Sequence, residues 1–232
     1  MPLPFFYSEG IIEGESLLPQ DTSRHIVQVL RMKVGEQLYI TNGNGYLFLS
    51  EILLAEKNGV SIKVLQAEVQ PPKAKKICIA ISLVKNAQRF EWFLEKAVEI
   101  GVSEVVPLLC KRTEKQHFRW DRMQGIMISA MLQSRQCMLP VLAQPQSLES
   151  FLQKEKQGQK LIAHCLENSH RKDLKECLPI NNATILIGPE GDFTPEEITQ
   201  AMEKNYQPIT LGNTRLRTET AGMVAVSLLN NL

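Results

Sequence analysis

Residues 185–197 read ILIGPEGDFTPEE. An unbroken apolar run enters Gly188-Pro189-Glu190-Gly191, and Thr194-Pro195-Glu196-Glu197 follows. The last four residues have the composition of a helix start. Thr194 is the N-cap, Pro195 takes the first helical position, and Glu197 at the third completes a capping box. The stretch therefore reads as strand, glycine loop, helix. A short continuous apolar run is the mark of a strand buried on both faces, which belongs to a parallel sheet covered by helices. Spacing alone leaves two readings of the loop open. It is either a tight connection or a place where two glycines let backbone approach a ligand.

The pattern repeats on either side. Ile77–Val84, Val105–Leu109, Leu161–His164 and Ile209–Leu211 read as further strands. Helices are expected at Trp120–Gln133, Pro195–Lys204 and Glu219–Asn230, with a short one near Leu174. Phe90, Phe93, Leu94, Ala97 and Val98 share the face of another helix. This strand–helix alternation predicts a mostly parallel α/β domain. Residues 1–70 differ. Gln37–Thr41, Tyr46–Ala55 and Val60–Val69 read as strands, the last two joined around Lys57-Asn58-Gly59. One short helix, capped by Asp21 or Thr22, presents Ile26, Val29 and Leu30. Close-spaced strands with one helix suggest a small barrel. Between the two patterns lies PPKAKK (71–76), which divides the chain into residues 1–72 and 73–232.

Two more segments carry candidate chemistry. LGNTRLRTETAG (211–222) follows a strand and places Arg215 and Arg217 before the last helix. Thr218 is a possible cap there, with Glu219 in the first turn. Arginines beside a glycine-containing loop at a strand's carboxyl end suit an anionic ligand. In KNAQRFEWFLEKAVEIGV (85–102), Lys85 and Arg89 are four residues apart and either hold phosphates or are ordinary solvated ends. The chain has no Gly-x-Gly-x-x-Gly, Walker A, Gly-x-Ser-x-Gly or His-Glu-x-x-His motif. Its five cysteines (78, 110, 137, 165, 177) and four histidines (25, 117, 164, 170) lack metal-ligand spacing. Reduced cysteines in a cytoplasmic protein are expected, and no metal. MPLPFFYSEG does not read as a signal peptide, and ICIAISLV (77–84) is too short to span a bilayer.

Taken together and in this order, these segments resemble the RsmE family. The matching stretches are His25–Arg31 followed by Val34-Gly35, EKAVEIGV (95–102), IGPEG (187–191) and LRTETA (216–221). The resemblance covers nearly the whole chain. It implies an α/β SPOUT methyltransferase domain with a C-terminal trefoil knot, preceded by a small PUA-like β-barrel. The implied activity is transfer of a methyl group from S-adenosylmethionine to N3 of a uridine in 16S ribosomal RNA of the small subunit, in the decoding region. S-adenosylhomocysteine is the product. Two other readings are a SPOUT enzyme acting on another RNA such as tRNA, and a non-catalytic RNA-binding protein of ribosome assembly. The family also implies a homodimer, through the knot and the final helix. That helix is apolar nearly all round (Ala221, Met223, Val224, Ala225, Val226, Leu228, Leu229) and needs cover on every side.

Carried over from the family, the cofactor lies against His164, Leu166, Ile187, Gly188, Pro189, Gly191, Leu211, Gly212 and Leu216. Arg217, Glu190 and Glu219 are the catalytic candidates. Arg217 would stabilise charge developing on uracil, and a carboxylate would take the proton. Arg24, Arg31, Lys85, Arg89, Arg112, Arg135 and Arg215 are the RNA-binding candidates. The chain also departs from the family's patterns. The stretch usually reading Gln-Ser-Gly-Arg is Gln133-Ser134-Arg135-Gln136, which reads as an arginine displaced by one. The second glycine of Gly-Pro-Glu-Gly-Gly is Asp192, and Thr214 stands where arginine is common.

The 232 residues contain 26 basic and 25 acidic groups, a net charge of +1. The total hides three unlike parts. Residues 1–72 carry 5 basic and 8 acidic groups, net −3; residues 73–136 carry 12 and 6, net +6; residues 137–232 carry 9 and 11, net −2. An RNA surface is therefore expected to be local and to follow the middle segment.

Overall fold

The computed structural model of the chain describes residues 3–11, 13–56, 59–71, 74–114, 117–166, 171–177 and 180–231. Lys57 and Asn58 of the expected hairpin turn, the cations Lys73 and Lys115, and His170 lie outside the described residues. The chain forms two compact units, Met1–Pro72 with Met131–Leu139, and Lys73–Ala130 with Pro140–Leu232.

The first unit holds β1 (Phe5–Tyr7), β2 (Glu15–Leu17), helix α1 (Gln20–Arg24), β3 (Gln37–Thr41), β4 (Tyr46–Glu56) and β5 (Gly59–Val69). The sheet order is β1-β3-β4-β5-β2, parallel between β1 and β3 and antiparallel elsewhere. Alternate residues point inward, so Leu38, Ile40, Phe48, Ile52, Val60 and Ile62 pack on Phe6, Leu18 and Ile26. Register shifts between Leu49 and Ser50 and between Ile52 and Leu54 bend β4 along β5.

Three expectations differ from the structure here. The short helix begins after Pro19, with no side-chain cap, so neither Asp21 nor Thr22 caps it. Of its predicted apolar face only Ile26 is buried; Val29 is 67% exposed and Leu30 43%. The cause is a π-helical turn at His25–Val29, in which the Leu30 amide bonds the His25 carbonyl at 3.0 Å. Five-residue spacing rotates Val29 and Leu30 off the stripe that a 3.6-residue period predicts. The expected division at residue 72 also missed the segment 131–139. The TNGNGY turn holds it: the Gly45 amide donates to the Cys137 carbonyl, and the Leu139 amide to that of Gly43, both at 2.8 Å.

The second unit contains β6 (Lys76–Ser82), α2 (Ala87–Ile100), β7 (Glu104–Leu109), α3 (Trp120–Gln133, whose last three residues group with the first unit), β8 (Val141–Leu142), β9 (Gln146–Ser147) and α4 (Leu148–Leu152). It continues with β10 (Gln159–Ala163), β11 (Lys172–Asp173), a 3-10 turn at Leu174–Cys177, β12 (Asn182–Ile187), α5 (Pro195–Glu203), β13 (Gln207–Thr210) and α6 (Thr218–Asn231). All its strand pairs are parallel, in the order β11-β13-β10-β12-β6-β7-β8, with β9 also on β7.

Central strand β6 is buried on both faces, which is why it reads as a continuous apolar run. On one side Cys78 and Ala80 pack with Val106, Leu108, Ile162 and Leu186 beneath α4 and α5. On the other, α2 and α6 pack together over β6. Gly222 of α6 makes this approach possible. A Cβ there would lie 2.6 Å from Phe93 and 2.9 Å from Ile81. Both neighbours are fully buried and have little room to yield. Gly222→Val is therefore expected to lower the urea midpoint at unchanged slope, a loss of about 1–3 kcal/mol by overpacking.

Candidate active site

The paired registers bring three loop starts together. Ala163 of β10 is level with Ile187 of β12 and with Ile209 of β13. The segments 164–166, 188–193 and 211–217 therefore leave the sheet at the carboxyl ends of adjacent parallel strands. That is where open α/β sheets bind ligands. β6 adds a fourth segment, since Ile187 is also level with Ile81.

Residues 188–192 are fastened to four other segments. Thr218 Oγ1 donates to the Gly188 carbonyl at 2.9 Å. The Lys85 amide donates to Glu190 Oε1 at 2.9 Å. Arg112 Nη1 donates to the Gly191 carbonyl at 2.6 Å. The Cys165 amide donates to Asp192 Oδ2 at 2.7 Å, while Asp192 Oδ1 accepts from the Phe193 amide at 2.8 Å. The capping box beyond the loop forms as its residues predict, with Thr194 and Glu197 bonded reciprocally. Glu197, although buried, has one more duty. Its Oε1 accepts the Lys111 amide at 2.8 Å, tying the turn after β7 to the start of α5. Next to it, burial, with help from the Glu197 carboxylate, pushes the Cys110 thiol up to about 12, so it is a packing group.

The predicted residues separate by role. Gly188 and Gly191 are explained by neighbours inside the protein. A Cβ on Gly188 would meet Phe193 at 3.1 Å, and one on Gly191 would meet Arg112 at 3.3 Å. Gly212 differs: its φ is +130°, and nothing lies within 4 Å of a Cβ built there. Ile187 and Pro189 are buried, Leu211 and Leu216 half-buried, and Leu166 exposed. Thr218 does not cap α6. It is the first helical residue, its hydroxyl serves Gly188, and Arg217 takes the cap position by accepting the Ala221 amide.

His164 is buried at the end of β10. Its Nδ1 accepts the Leu166 amide at 3.2 Å, and its Nε2 is buried without a hydrogen-bond partner among the described residues. Arg171 donates to the His164 carbonyl. Burial pushes the imidazole below its ordinary value; the Asp192 carboxylate opposes this and the Arg171 cation adds to it.

Several candidate cations are already engaged. Lys85 Nζ lies 2.9 Å from Glu114, and Arg89 Nε 3.7 Å from Glu219. The expectation that Lys85 and Arg89 hold phosphates together must allow for these carboxylates; the exposed Lys85–Glu114 pair is weak, whereas Arg89 faces a carboxylate that is buried. Glu219 is buried at the first turn of α6, whereas Glu190 is exposed. Arg215 and Arg217 are exposed. In the first unit Arg24 pairs with Asp21 at 3.3 Å. Arg31 and Arg135 are exposed with left-handed φ of 54° and 53°. Position 135 thus has the left-handed backbone that glycine favours, at the end of α3. Asp192, at φ 63°, likewise stands in a glycine's conformation.

The RNA methyltransferase domain model matches residues 71–230, and the RNA methyltransferase PUA domain model matches residues 18–65. The chain belongs to the RsmE family of RNA methyltransferases. The small-subunit ribosomal RNA methyltransferase E of Mesomycoplasma hyopneumoniae is 34% identical, over 94% of this chain and 95% of that one. A probable rRNA methyltransferase of Porphyromonas gingivalis has TM-score 0.90 and 38% identity, over 97% and 95% of the two chains. The Neisseria gonorrhoeae methyltransferase E, bound to S-adenosylmethionine, has TM-score 0.83 and 28% identity, over 97% and 96%. This RsmE chain is thus a methyltransferase with an N-terminal PUA domain and a parallel α/β domain. Among the described residues no group of three His, Cys, Asp or Glu is placed to hold a metal, and no helix is long and apolar enough to cross a membrane.

Asp192 stood in the sequence only as a departure from a glycine pattern and not as a site candidate; the structure gives it bonds to the Cys165 and Phe193 amides.

The lowered pKa of His164 has a signed consequence. The unfolded chain takes up this proton near the ordinary value of 6.5, the folded chain only at lower pH. The neutral imidazole's contribution is present above that value and lost as pH falls through the folded pKa. Wild-type unfolding free energy should therefore fall more steeply from pH 7 to 5 than that of His164→Gln; parallel slopes in urea titrations would contradict this.

Proposed function

We propose that this methyltransferase transfers the methyl group of S-adenosylmethionine to N3 of a specific uridine in the decoding region of 16S ribosomal RNA. The observation that carries the reading is the convergence of segments 164–166, 188–193 and 211–217 at adjacent carboxyl strand ends. Relatives across nearly the full length are small-subunit ribosomal RNA methyltransferases, and one of them, from Neisseria gonorrhoeae, has a solved structure bound to S-adenosylmethionine.

The residues fit this group. Among the described residues, buried His164 Nε2 lacks a partner and Gly212 presents open backbone. Ile187, Leu211 and Leu216 supply apolar surface next to main-chain donors and acceptors, the composition of a small-molecule site. Gly188, Pro189, Gly191 and Leu166 complete the backbone of the same loops. The cofactor supplies an electrophilic methyl group on a sulfonium.

The protein's work is to hold the uracil in line with that methyl group and to manage the N3 proton. As the N3 proton leaves to a carboxylate, negative charge develops on the uracil oxygens; N3 then bonds the methyl carbon as that carbon's bond to sulfur breaks, its electron pair staying on sulfur as a neutral thioether. Arg217, exposed at the N-cap of α6, stabilises that charge. Of the two carboxylates, Glu190 is the better acceptor for the proton, because it is exposed and its Oε1 is held by the Lys85 amide. Glu219 instead anchors Arg89. Because N3 takes part in base pairing, the uridine must be presented unpaired or flipped out. Arg215, Lys85, Arg89 and Arg112 in this unit, with Arg24, Arg31 and Arg135 in the first, contribute the phosphate contacts.

We also propose that the return of residues 211–217 to α6 makes the crossing of a trefoil knot. In support, β13 lies beyond β10 from β12, and Thr218 then bonds Gly188. The same helix suits a homodimer, since Ala221, Met223, Val224 and Leu228 are only half-buried within one chain.

Wild-type protein, 30S subunits and methyl-labelled cofactor should yield one methylated uridine by mass-spectrometric mapping, blocked at N3. A methylated base in tRNA instead, or none, overturns the assignment. Arg217→Ala should lower turnover by about a hundredfold or more, as loss of a charge-stabilising donor does. Wild-type turnover removes Arg217 from the scheme. Light scattering at micromolar concentration should give the mass of two chains, and a monomer contradicts the dimer.

A further inference from the structure

We propose that Asp192 is a positioning residue for the methyl donor: its carboxylate holds the His164–Leu166 segment against the Ile187–Gly191 loop in the arrangement that binds the donor. The role rests on the cofactor site proposed above.

Geometry carries the argument. The β10–β12 ladder ends at Ala163 and Ile187, and the two chains then diverge into loops. Beyond that point main-chain pairing no longer fixes their separation. Asp192 bridges it. Oδ2 accepts the Cys165 amide at 2.7 Å, and Oδ1 accepts its neighbour Phe193's amide at 2.8 Å. With both oxygens engaged, the side chain cannot rotate without breaking a bond. The backbone is fixed as well, by a turn in which the Asp192 amide donates to the Pro189 carbonyl at 2.9 Å. Asp192 has φ 63°. Among residues with a side chain, Asp and Asn tolerate that region best. An acid here therefore accepts a modest conformational cost and gains two bonds to main-chain amides, one of them on another loop. Hydrogen bonds to an ionised acceptor are the stronger class.

The segment held in this way contains His164, whose Nε2 is buried without a partner among the described residues, and Leu166. Asp192 itself has both oxygens occupied by protein. It acts on the donor through the shape of the loops and not by touching the reacting atoms.

The test uses Asp192→Gly and Asp192→Asn in the full chain. Glycine takes φ 63° without strain, so D192G should melt within a few degrees of wild type. Its affinity for S-adenosylhomocysteine by calorimetry should fall about tenfold, the usual scale for losing one bond to a charged group. D192N keeps one acceptor oxygen and should fall between the two. In hydrogen exchange, the Cys165 amide should lose protection in D192G while that of Leu186, within the ladder, keeps it. Kinetically, KM for S-adenosylmethionine should rise while kcat at saturation stays near wild type, a split that general destabilisation does not produce. If D192G loses its cooperative melt, the same measurements on D192N decide. Binding within twofold of wild type in the folded variant, or an unchanged Cys165 exchange rate, overturns the role. A wild type that binds no S-adenosylhomocysteine overturns the cofactor site and this role with it. A wild type that binds, beside a variant that binds equally well, overturns the role alone.

Discussion

Four segments meet one loop, and that loop accepts every bond. The Gly188 and Gly191 carbonyls and the Glu190 and Asp192 carboxylates receive donors from the start of α6, the end of β6, the turn after β7 and the end of β10. The parallel sheet decides where these segments emerge, because strand register is set by buried apolar residues. It does not decide how they face one another once they leave. Polar groups near a protein interior need partners, and here that requirement supplies the missing orientation. The arrangement of the candidate site thus depends on one acceptor-rich loop, and each tie has a different donor.

The same loop reshapes the electrostatics. Residues 73–136 carry net +6, which by itself describes an anion-binding surface. Near the site much of that charge is already directed. Arg112 serves a carbonyl, Lys85 faces Glu114, Arg89 faces Glu219, and Arg122 holds Glu91 through two bonds. Exposed pairs give way readily, so Lys85 can exchange Glu114 for a phosphate at small cost. Arg89 is less free, because releasing it leaves Glu219 buried without its counter-charge. Segment 131–139 also changes the account of the first unit. Its one charged residue is Arg135, which brings the −3 of residues 1–72 to −2. The first unit remains acidic, so any RNA contact by its PUA domain must use local groups such as Arg24 and Arg31.

What could be read in the sequence follows from what has a local signature. The buried strands around Ile79, Ile162 and Ile185 are continuous apolar runs, and the alternation that they begin gave the parallel sheet. The Thr194–Glu197 capping box was legible because all its partners lie within four residues. By the same logic, elements of two residues such as β8, β9 and β11 left no periodic trace. The π turn at His25–Val29 misled, since it keeps helical composition while changing the period. At the site, spacing left open whether the loop's glycines serve a tight connection or a ligand; Phe193 and Arg112, which stand 3.1 and 3.3 Å from a Cβ at Gly188 and Gly191, are neighbours that spacing does not reveal. Thr218 was read as a cap, yet its hydroxyl crosses to a residue 30 positions away. Side-chain bonds between distant segments have no spacing rule, so no pattern could have announced them.

Positions 135 and 192 show how one backbone demand is met differently. Both lie in the left-handed region. A side chain there costs about 1–2 kcal/mol, less for Asp and Asn, whose short polar groups bond locally. Asp192 recovers that cost through two amide bonds. Arg135 is exposed. What holds it is its own backbone, whose amide bonds the Leu132 carbonyl at 3.1 Å, while the Gln136 amide bonds that of Met131 at 2.9 Å. These close the end of α3 as a helix C-terminus normally closes, with a left-handed residue in the place glycine favours. The turn at Arg135 is thus imposed by the helix it ends, and the side chain is left to solvent. The turn at Asp192 is put to use by the side chain itself. A left-handed residue in place of glycine therefore points to function only when its side chain reaches another segment, and Asp192 meets that condition.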